Sequence, residues 1–259
     1  MERQLWKAIV AILTGLDKSW VRREGGFSDR RIVEVYYWSV LHDRPVCWAV
    51  QRCNWPIELR RWKLPSNTTM SRRLRSEGVR RLLTTLEHRV VRRSEKGTLV
   101  WMIVGSDKSL ADWRLATMNV DERKMAKRML KRAKICGYVV ADANYDSNEL
   151  HSTCDEQGNL QLVTPRRYGP GRGHGHRQQT PGRLRSKEIL ENPFPASGNG
   201  LMTQRGDIER YFGNLTNWGG GLTHLPPWVR GYRRVYRWVQ AKLVVNYIKM
   251  DRGAKTYVA

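Results

Sequence analysis

The sequence predicts an α/β fold that is preceded by a small all-helical region. Residues 1–93 show helical patterning, without a clear strand signal. After them the chain alternates in the order strand, strand, helix, strand, helix, strand, which is typical of an α/β domain. A basic loop and two further helices follow, up to residue 250. We therefore expect a helical domain at residues 1–93 and an α/β domain at residues 98–250.

Charge gives the first indication of function. The 259 residues include 47 Lys+Arg and 24 Asp+Glu, which gives a net charge of +23. Such a surplus attracts polyanions, and solubility alone requires far less of it. No apolar run approaches the ~20 residues of a membrane-spanning helix. The composition therefore favours nucleic acid over a membrane as the partner.

The N-terminal region is basic and contains several helix-start signals. Residues 1–93 carry 20 Lys+Arg and 9 Asp+Glu. Ser28 is expected to cap one helix, and Ser66 or Asn67 another. Three arginines then fall close together in one short segment: Arg72, Arg73 and Arg75. Short helices with an arginine cluster suit a helix-turn-helix-like reader of DNA, and a helical bundle with a solvated basic face fits the same pattern.

The α/β region opens with "TLVWMIVGSD" (98–107), which is predicted to be one strand. "LADWRLATMN" (110–119) is predicted to be a second strand that could form a hairpin with the first. An amphipathic helix follows, and then the short apolar strand "YVVAD", which ends in Asp142. Asp146 or Ser147 is expected to cap the next helix, before a last strand "LQLVTP".

Residues 165–187 are predicted to form an irregular basic loop. They contain seven Lys+Arg, several glycines and prolines, and no acid. The loop arginines that we expect to lie along DNA phosphates are Arg166, Arg167, Arg172 and Arg177. A disordered insertion would have the same composition, and both interpretations can hold together.

Two carboxylates stand out in this basic chain, Asp142 at a strand end and Glu209 on a late helix. Burying an aspartate is costly unless a cation or a helix N-terminus meets it. Mg²⁺ binds carboxylate and phosphate oxygens, and two ions about 4 Å apart can activate a water or a 3′-hydroxyl. That chemistry usually needs three acids. The alternatives are an Asx turn at Asp142 and an ion pair between Glu209 and Arg205, which are four residues apart.

Longer stretches of the chain resemble a known family. They include "FSDRRIVEVYYWSVLHDRPVCWA", "YVVADANYDSNELH" and "RGDIERYFGNLTNWGGG". These are similar to bacterial insertion-sequence transposases of the DDE type, over about residues 27–250. The resemblance implies an RNase H-like mixed sheet flanked by helices, and an Asp-Asp-Glu site that uses Mg²⁺ (or Mn²⁺). It also implies binding, cutting and joining of double-stranded DNA by a homo-oligomer in the bacterial cytoplasm, at the nucleoid.

By the same resemblance Asp142 is the second acid and Glu209 the glutamate, and both would hold the metal. Arg205 begins an R-x-x-x-E spacing and would orient Glu209 or contact a phosphate. Asp107 is the candidate for the first acid. However, only one predicted strand and one helix separate Asp107 from Asp142, whereas the family has two strands there.

A missing strand would have consequences for the function. Asp107 would then be a hairpin-turn residue, and the true first acid would have been lost by internal deletion; we favour this interpretation. The chain would bind DNA as a copy with weak or no catalysis. A third alternative is an RNase H-like nuclease without joining activity.

Overall fold

A computed structural model describes residues 1–16, 26–90, 97–100, 102–105, 110–116, 120–133, 135–165, 179–191, 198–218, 222 and 225–255. The chain packs as two compact units. Residues Met1–Val91 and Asn214–Ala259 form the first, which we call the helical unit. Residues Arg92–Gly213 form the second, which we call the sheet unit.

All regular elements described in the helical unit are helices. They are α1 (Glu2–Gly15), α2 (Asp29–Leu41), α3 (Val46–Ala49), α4 (Asn67–Arg73), α5 (Glu77–Val90) and, from the far end of the chain, α10 (Tyr232–Lys255). The predicted caps are confirmed, since the hydroxyls of Ser28 and Ser66 accept hydrogen bonds from the backbone N–H groups of Arg31 and Thr69. None of the described helices combines the length and the apolar content that crossing a bilayer requires.

Helix α2 is the centre of the helical unit. Its residues from Ile32 to Val40 are all buried, and it contacts α1, α3, α4, α5 and α10. A helix that is apolar on every face must be surrounded by others. This requirement explains why α10 packs on α2 and α5, although the sequence assigned it to a domain at residues 98–250. The assignment of separate functions to residues 1–93 and 98–250 stays a prediction.

Tryptophans fill the space between α1, α2 and the segment after α3. The rings of Trp38 and Trp55 stack with their centroids 4.8 Å apart. Trp6 meets both rings edge-on, at 5.8 Å and 5.5 Å. The three indole N–H groups donate to backbone carbonyls, those of Glu34, Asn54 and Ala49. Each large apolar ring is therefore buried without leaving its polar atom unsatisfied.

The sheet unit contains five short strands and four helices among its described residues. They are β1 (Gly97–Val100), β2 (Met102–Gly105), β3 (Leu110–Trp113), α6 (Glu122–Arg132), β4 (Gly137–Val140), α7 (Asn148–Gln157), β5 (Leu160–Val163), α8 (Pro181–Glu191) and α9 (Gly198–Gly213). Strands β1, β2 and β3 form an antiparallel sheet in that order, while β4 and β5 pair in parallel. Strand β1 also lies beside β4.

The prediction of one strand over residues 98–107 is wrong. β1 and β2 are two antiparallel strands instead, in which Val100 pairs with Met102 and Gly97 with Gly105. The two halves thereby satisfy each other's backbone hydrogen bonds. Three described strands precede α6, but only β3 comes between Asp107 and β4 in the chain, as predicted. The loss of a strand by deletion stays a prediction. The hairpin pairing of β2 with β3 agrees with expectation, although β3 ends at Trp113 rather than at residue 119.

The core of the sheet unit lies between its parallel strand pair and the helices α6 and α7. Its most deeply buried members include Met129 and Leu130 on α6, Val139 on β4 and Leu162 on β5. The predicted apolar stripe on α6 thus faces β4. This packing fixes the carboxyl end of β4, where Asp142 follows.

Truncating the tryptophan cluster should destabilise the helical unit. Trp55 is 2% exposed, so Trp55→Ala is expected to cost about 3–5 kcal/mol of unfolding free energy through the cavity it leaves. The control is Trp228→Ala, since Trp228 is 37% exposed, and we expect a change within about 0.5 kcal/mol. Urea unfolding followed by circular dichroism measures both. Equal losses would contradict the role assigned to the cluster.

Candidate functional site

Asp142 lies where the buried strand β4 leaves the sheet. Val139, Val140 and Ala141 before it are buried, and the Asp142 side chain is half-buried. Its Oδ1 accepts a hydrogen bond of 2.8 Å from the backbone N–H of Asn144 and caps a short 3₁₀ turn. The predicted Asx turn is therefore present. Burial raises the pKa of the neighbouring Tyr145 to about 12, and the negative charges of Glu122 and Asp142 add to that effect.

Glu209 lies on α9, which packs against β4, β1 and α8. The buried side of this helix includes Ile208 and Tyr211. Glu209 itself points outward, with 74% of its side chain exposed, and its Oε1 lies 3.8 Å from a guanidinium nitrogen of Arg205. The predicted Arg205–Glu209 pair is therefore present. An exposed pair at this distance contributes little to stability.

The third acid of the predicted site is not among the described residues. Asp107 lies outside them. Strand β1, which lies beside β4, reads Gly-Thr-Leu-Val and carries no carboxylate. Within the described part of the chain, no group of three or more His, Cys, Asp or Glu residues could hold a metal ion. The fold brings α9 against β4, but the described residues supply two carboxylates rather than three.

A buried ion pair that the sequence did not predict holds the turn after Asp142. Asp146 is 8% exposed, and Arg183 on α8 donates to both of its carboxylate oxygens, at 2.9 Å and 2.8 Å. The buried Nε2 of His151 lies 3.4 Å from Asp146 Oδ1. Asp146 was considered as a helix cap, but Ser147 caps α7. The sequence does not distinguish Arg183 as a structural residue, because it is one of seven Lys+Arg in the predicted loop at residues 165–187.

The prediction of an irregular loop over residues 165–187 is wrong at its C-terminal end, where α8 begins at Pro181. Asp155 on α7 accepts hydrogen bonds from the backbone N–H of Gly182 and from Arg185. A Cβ at Gly182 would lie 2.6 Å from that carboxylate, so the contact requires glycine. Acids on neighbouring elements thus bind the arginines of α8. Arg166, Arg167, Arg172 and Arg177 lie outside the described residues.

The three clustered arginines of the helical unit have different environments. Arg72 and Arg75 are exposed, whereas Arg73 is 7% exposed. The Arg73 guanidinium pairs with Asp29 and donates a 2.7 Å hydrogen bond to the carbonyl of Phe27. Arg73 is therefore corrected from a candidate DNA contact to a structural residue, because its charge is already neutralised inside the unit. Arg72 and Arg75 remain candidates.

Comparison with known proteins identifies the class of this chain. A model of the transposase DDE domain family matches residues 69–243, which is more than half of the sequence. The chain therefore belongs to the family of DDE transposase domains. No curated protein and no solved structure matches it.

The Asp146–Arg183 pair should be far more important for stability than its exposed neighbour on α8. Arg183→Met would remove both hydrogen bonds that the guanidinium donates to the buried Asp146 carboxylate, at an expected cost of about 3 kcal/mol. Arg185→Met is the matched control, because Arg185 is 52% exposed in its pair with Asp155, and we expect a loss below about 1 kcal/mol. Urea unfolding with hydrogen exchange at α7 measures the difference. A larger loss for Arg185→Met would reverse the assignment.

Proposed function

We propose that this protein is an insertion-sequence transposase that binds element-end DNA through its basic surfaces and acts on it through an RNase H-like sheet unit. The observation that carries the proposal is the packing of α9, with Glu209, against β4, which leads to Asp142. Both elements lie within the residues that match the transposase family. The antiparallel strands β1, β2 and β3, followed by the parallel pair β4 and β5, support the RNase H-like assignment.

We propose that Asp142 and Glu209 hold Mg²⁺ or Mn²⁺. Both provide carboxylate oxygens, which are the ligands that these ions prefer. When bound, the ions would supply an activated water or 3′-hydroxyl and stabilise the leaving oxygen. The Asx turn fixes the Asp142 carboxylate. Arg205 lies close enough to orient Glu209, or to contact a DNA phosphate.

A second candidate function is DNA binding without catalysis, and the acid-free strand beside β4 favours it. Residues 106–109 connect β2 to β3, so Asp107 lies on the chain between these two strands. Strand β2 pairs with β1 and β3, and β1 is the strand that lies beside β4. Since β1 carries no acid, the place expected for the first metal ligand has none. A copy of this kind would occupy element ends without cutting them.

The proposed partners and location follow from the proposed transposase function. The partner is double-stranded DNA, both of the element ends and of the target. The protein would act as a homo-oligomer at the nucleoid, in the bacterial cytoplasm.

Cleavage separates the two candidate functions. With two carboxylates in the expected places, we expect weak or absent Mg²⁺-dependent nicking of a supercoiled plasmid by the purified chain, and no strand-transfer product. Any residual nicking should disappear in Asp142→Asn and Glu209→Gln but persist in Asp107→Asn. Robust nicking that is abolished by Asp107→Asn would restore a complete three-acid site. Nicking without strand transfer would identify a nuclease.

DNA binding should not depend on the two acids. The double variant Asp142→Ala/Glu209→Ala removes negative charge, so its affinity for duplex DNA should equal or slightly exceed that of the natural chain. Fluorescence anisotropy in metal-free buffer measures it, with Asp112→Ala/Glu191→Ala as a charge-matched control. A loss of more than about tenfold, which is ~1.4 kcal/mol, with the fold intact would contradict the metal-site assignment.

A further inference from the structure

The helical unit contains a cavity of about 260 Å³ that none of the functional assignments above uses. It is lined by residues from α2, from α3 and α4 with the segments beside them, and from the start of α10. The described residues that line it include four arginines and no Asp or Glu: Arg44, Arg75, Arg234 and Arg237. Elsewhere in the chain, buried arginines such as Arg73 and Arg183 have carboxylate partners. This concentration of positive charge is therefore not balanced from within the cavity.

Arg237 reports on the electrostatics of the cavity. Burial lowers its pKa, and the positive charges of Arg234 and Arg75 lower it further, whereas the hydroxyl of Tyr36 raises it. Its guanidinium also donates to the carbonyl of Leu74. Arg237 is half-buried, whereas Arg75 and Arg234 are exposed at the mouth of the cavity. Their like charges repel one another, and a bound anion would convert that repulsion into attraction.

Two buried donors beside the cavity lack an acceptor among the described residues. They are Nε of Arg237 and the indole Nε1 of Trp238, and both residues line the cavity. A buried donor without a partner destabilises the folded state, and native structures rarely contain one unexplained. An anion with several oxygens would neutralise the excess positive charge and would also accept hydrogen bonds from the two donors.

We infer that this cavity binds a phosphate group. Guanidinium groups match phosphate oxygens in a bidentate geometry, and the side chains of Ser71 and Asn67 on α4 add neutral donors at the wall. Trp228, which also lines the cavity, is 37% exposed, so an aromatic surface is available next to the phosphate site.

The phosphate group belongs to a DNA strand. This assignment of the occupant rests on the proposed function. A second cleft, of about 640 Å³, shares Arg75 and Arg237 with the cavity and lies between α5 and the start of α10. Its wall carries Arg233 and Tyr232, which is 56% exposed. Arg80 and Arg81 also line it, and both pair there with Glu77, so Arg233, Arg75 and Arg237 are the lining arginines that we assign to a phosphate. A space of this size suits a small ligand rather than a double helix. Arginines interleaved with exposed aromatics are typical of surfaces that bind unpaired nucleotides.

A matched pair of variants tests the phosphate site. Arg234 lines the cavity, whereas Arg230 is exposed nearby, and its side chain donates to the carbonyl of Pro227. Arg234→Gln and Arg230→Gln remove the same charge from the same segment. Calorimetric titration of the full chain with inorganic phosphate at constant ionic strength should show binding about tenfold weaker for Arg234→Gln. For Arg230→Gln the change should be below about twofold. Equal losses in the two variants would overturn the inference, because they would indicate general attraction to the basic surface.

Competition identifies the source of the phosphate. A single-stranded oligonucleotide and a duplex of the same sequence are titrated into the phosphate-loaded chain, without divalent metal. Displacement of phosphate by the single strand, weakened in Arg234→Gln, supports a DNA strand as occupant. DNA binding without displacement overturns that assignment in favour of a free phosphate compound. If phosphate binds as expected and neither DNA does, the proposed transposase function fails while the phosphate site stands.

Discussion

The pairing of a buried arginine with one of a few carboxylates is the interaction on which both units depend. The chain has 47 Lys+Arg and only 24 Asp+Glu, so each acid that is used inside the protein fixes one part of its packing. Asp29 holds Arg73 at the end of α4, and Asp146 holds Arg183 on α8. Glu34, buried on α2, accepts from Arg30 and Arg31. The first two pairs link segments that are distant in sequence, whereas the pairs of Glu34 lie within α2.

The small number of acids also distinguishes arginines with a structural role from arginines that are available to a ligand. An arginine with a carboxylate partner inside a unit is already neutralised, as Arg73 is, and it has little to offer a phosphate. Arg72 and Arg75 differ from it by one position in the chain or two, yet both are exposed. Around the cavity of the helical unit the described walls contain arginines without acids. A polyanion is the natural counterion for such a surface, and the transposase family provides a reason for one.

Asp142 and Glu209 differ from the structural acids in the groups that contact their carboxylates. A backbone amide, rather than a buried guanidinium, contacts the Asp142 carboxylate. Glu209 is largely exposed beside Arg205. Neither carboxylate is committed to a buried ion pair, which is a condition for binding a metal. The strand that lies beside β4, β1, carries no acid, so the described residues provide two of the three ligands that the family resemblance implies.

The sequence by itself determined the features that depend on near neighbours in the chain. These include the caps at Ser28 and Ser66, the strand β4 that leads to Asp142, the Asx turn there, and the spacing of Arg205 and Glu209. The tertiary structure alone decided the antiparallel pairing of β1 with β2, the burial of Arg73, the pairing of Arg183 with Asp146 and the packing of α10 on α2. Helix and strand patterns record contacts within a few residues, whereas the choice of partner for each of many similar arginines depends on which acid approaches it in space.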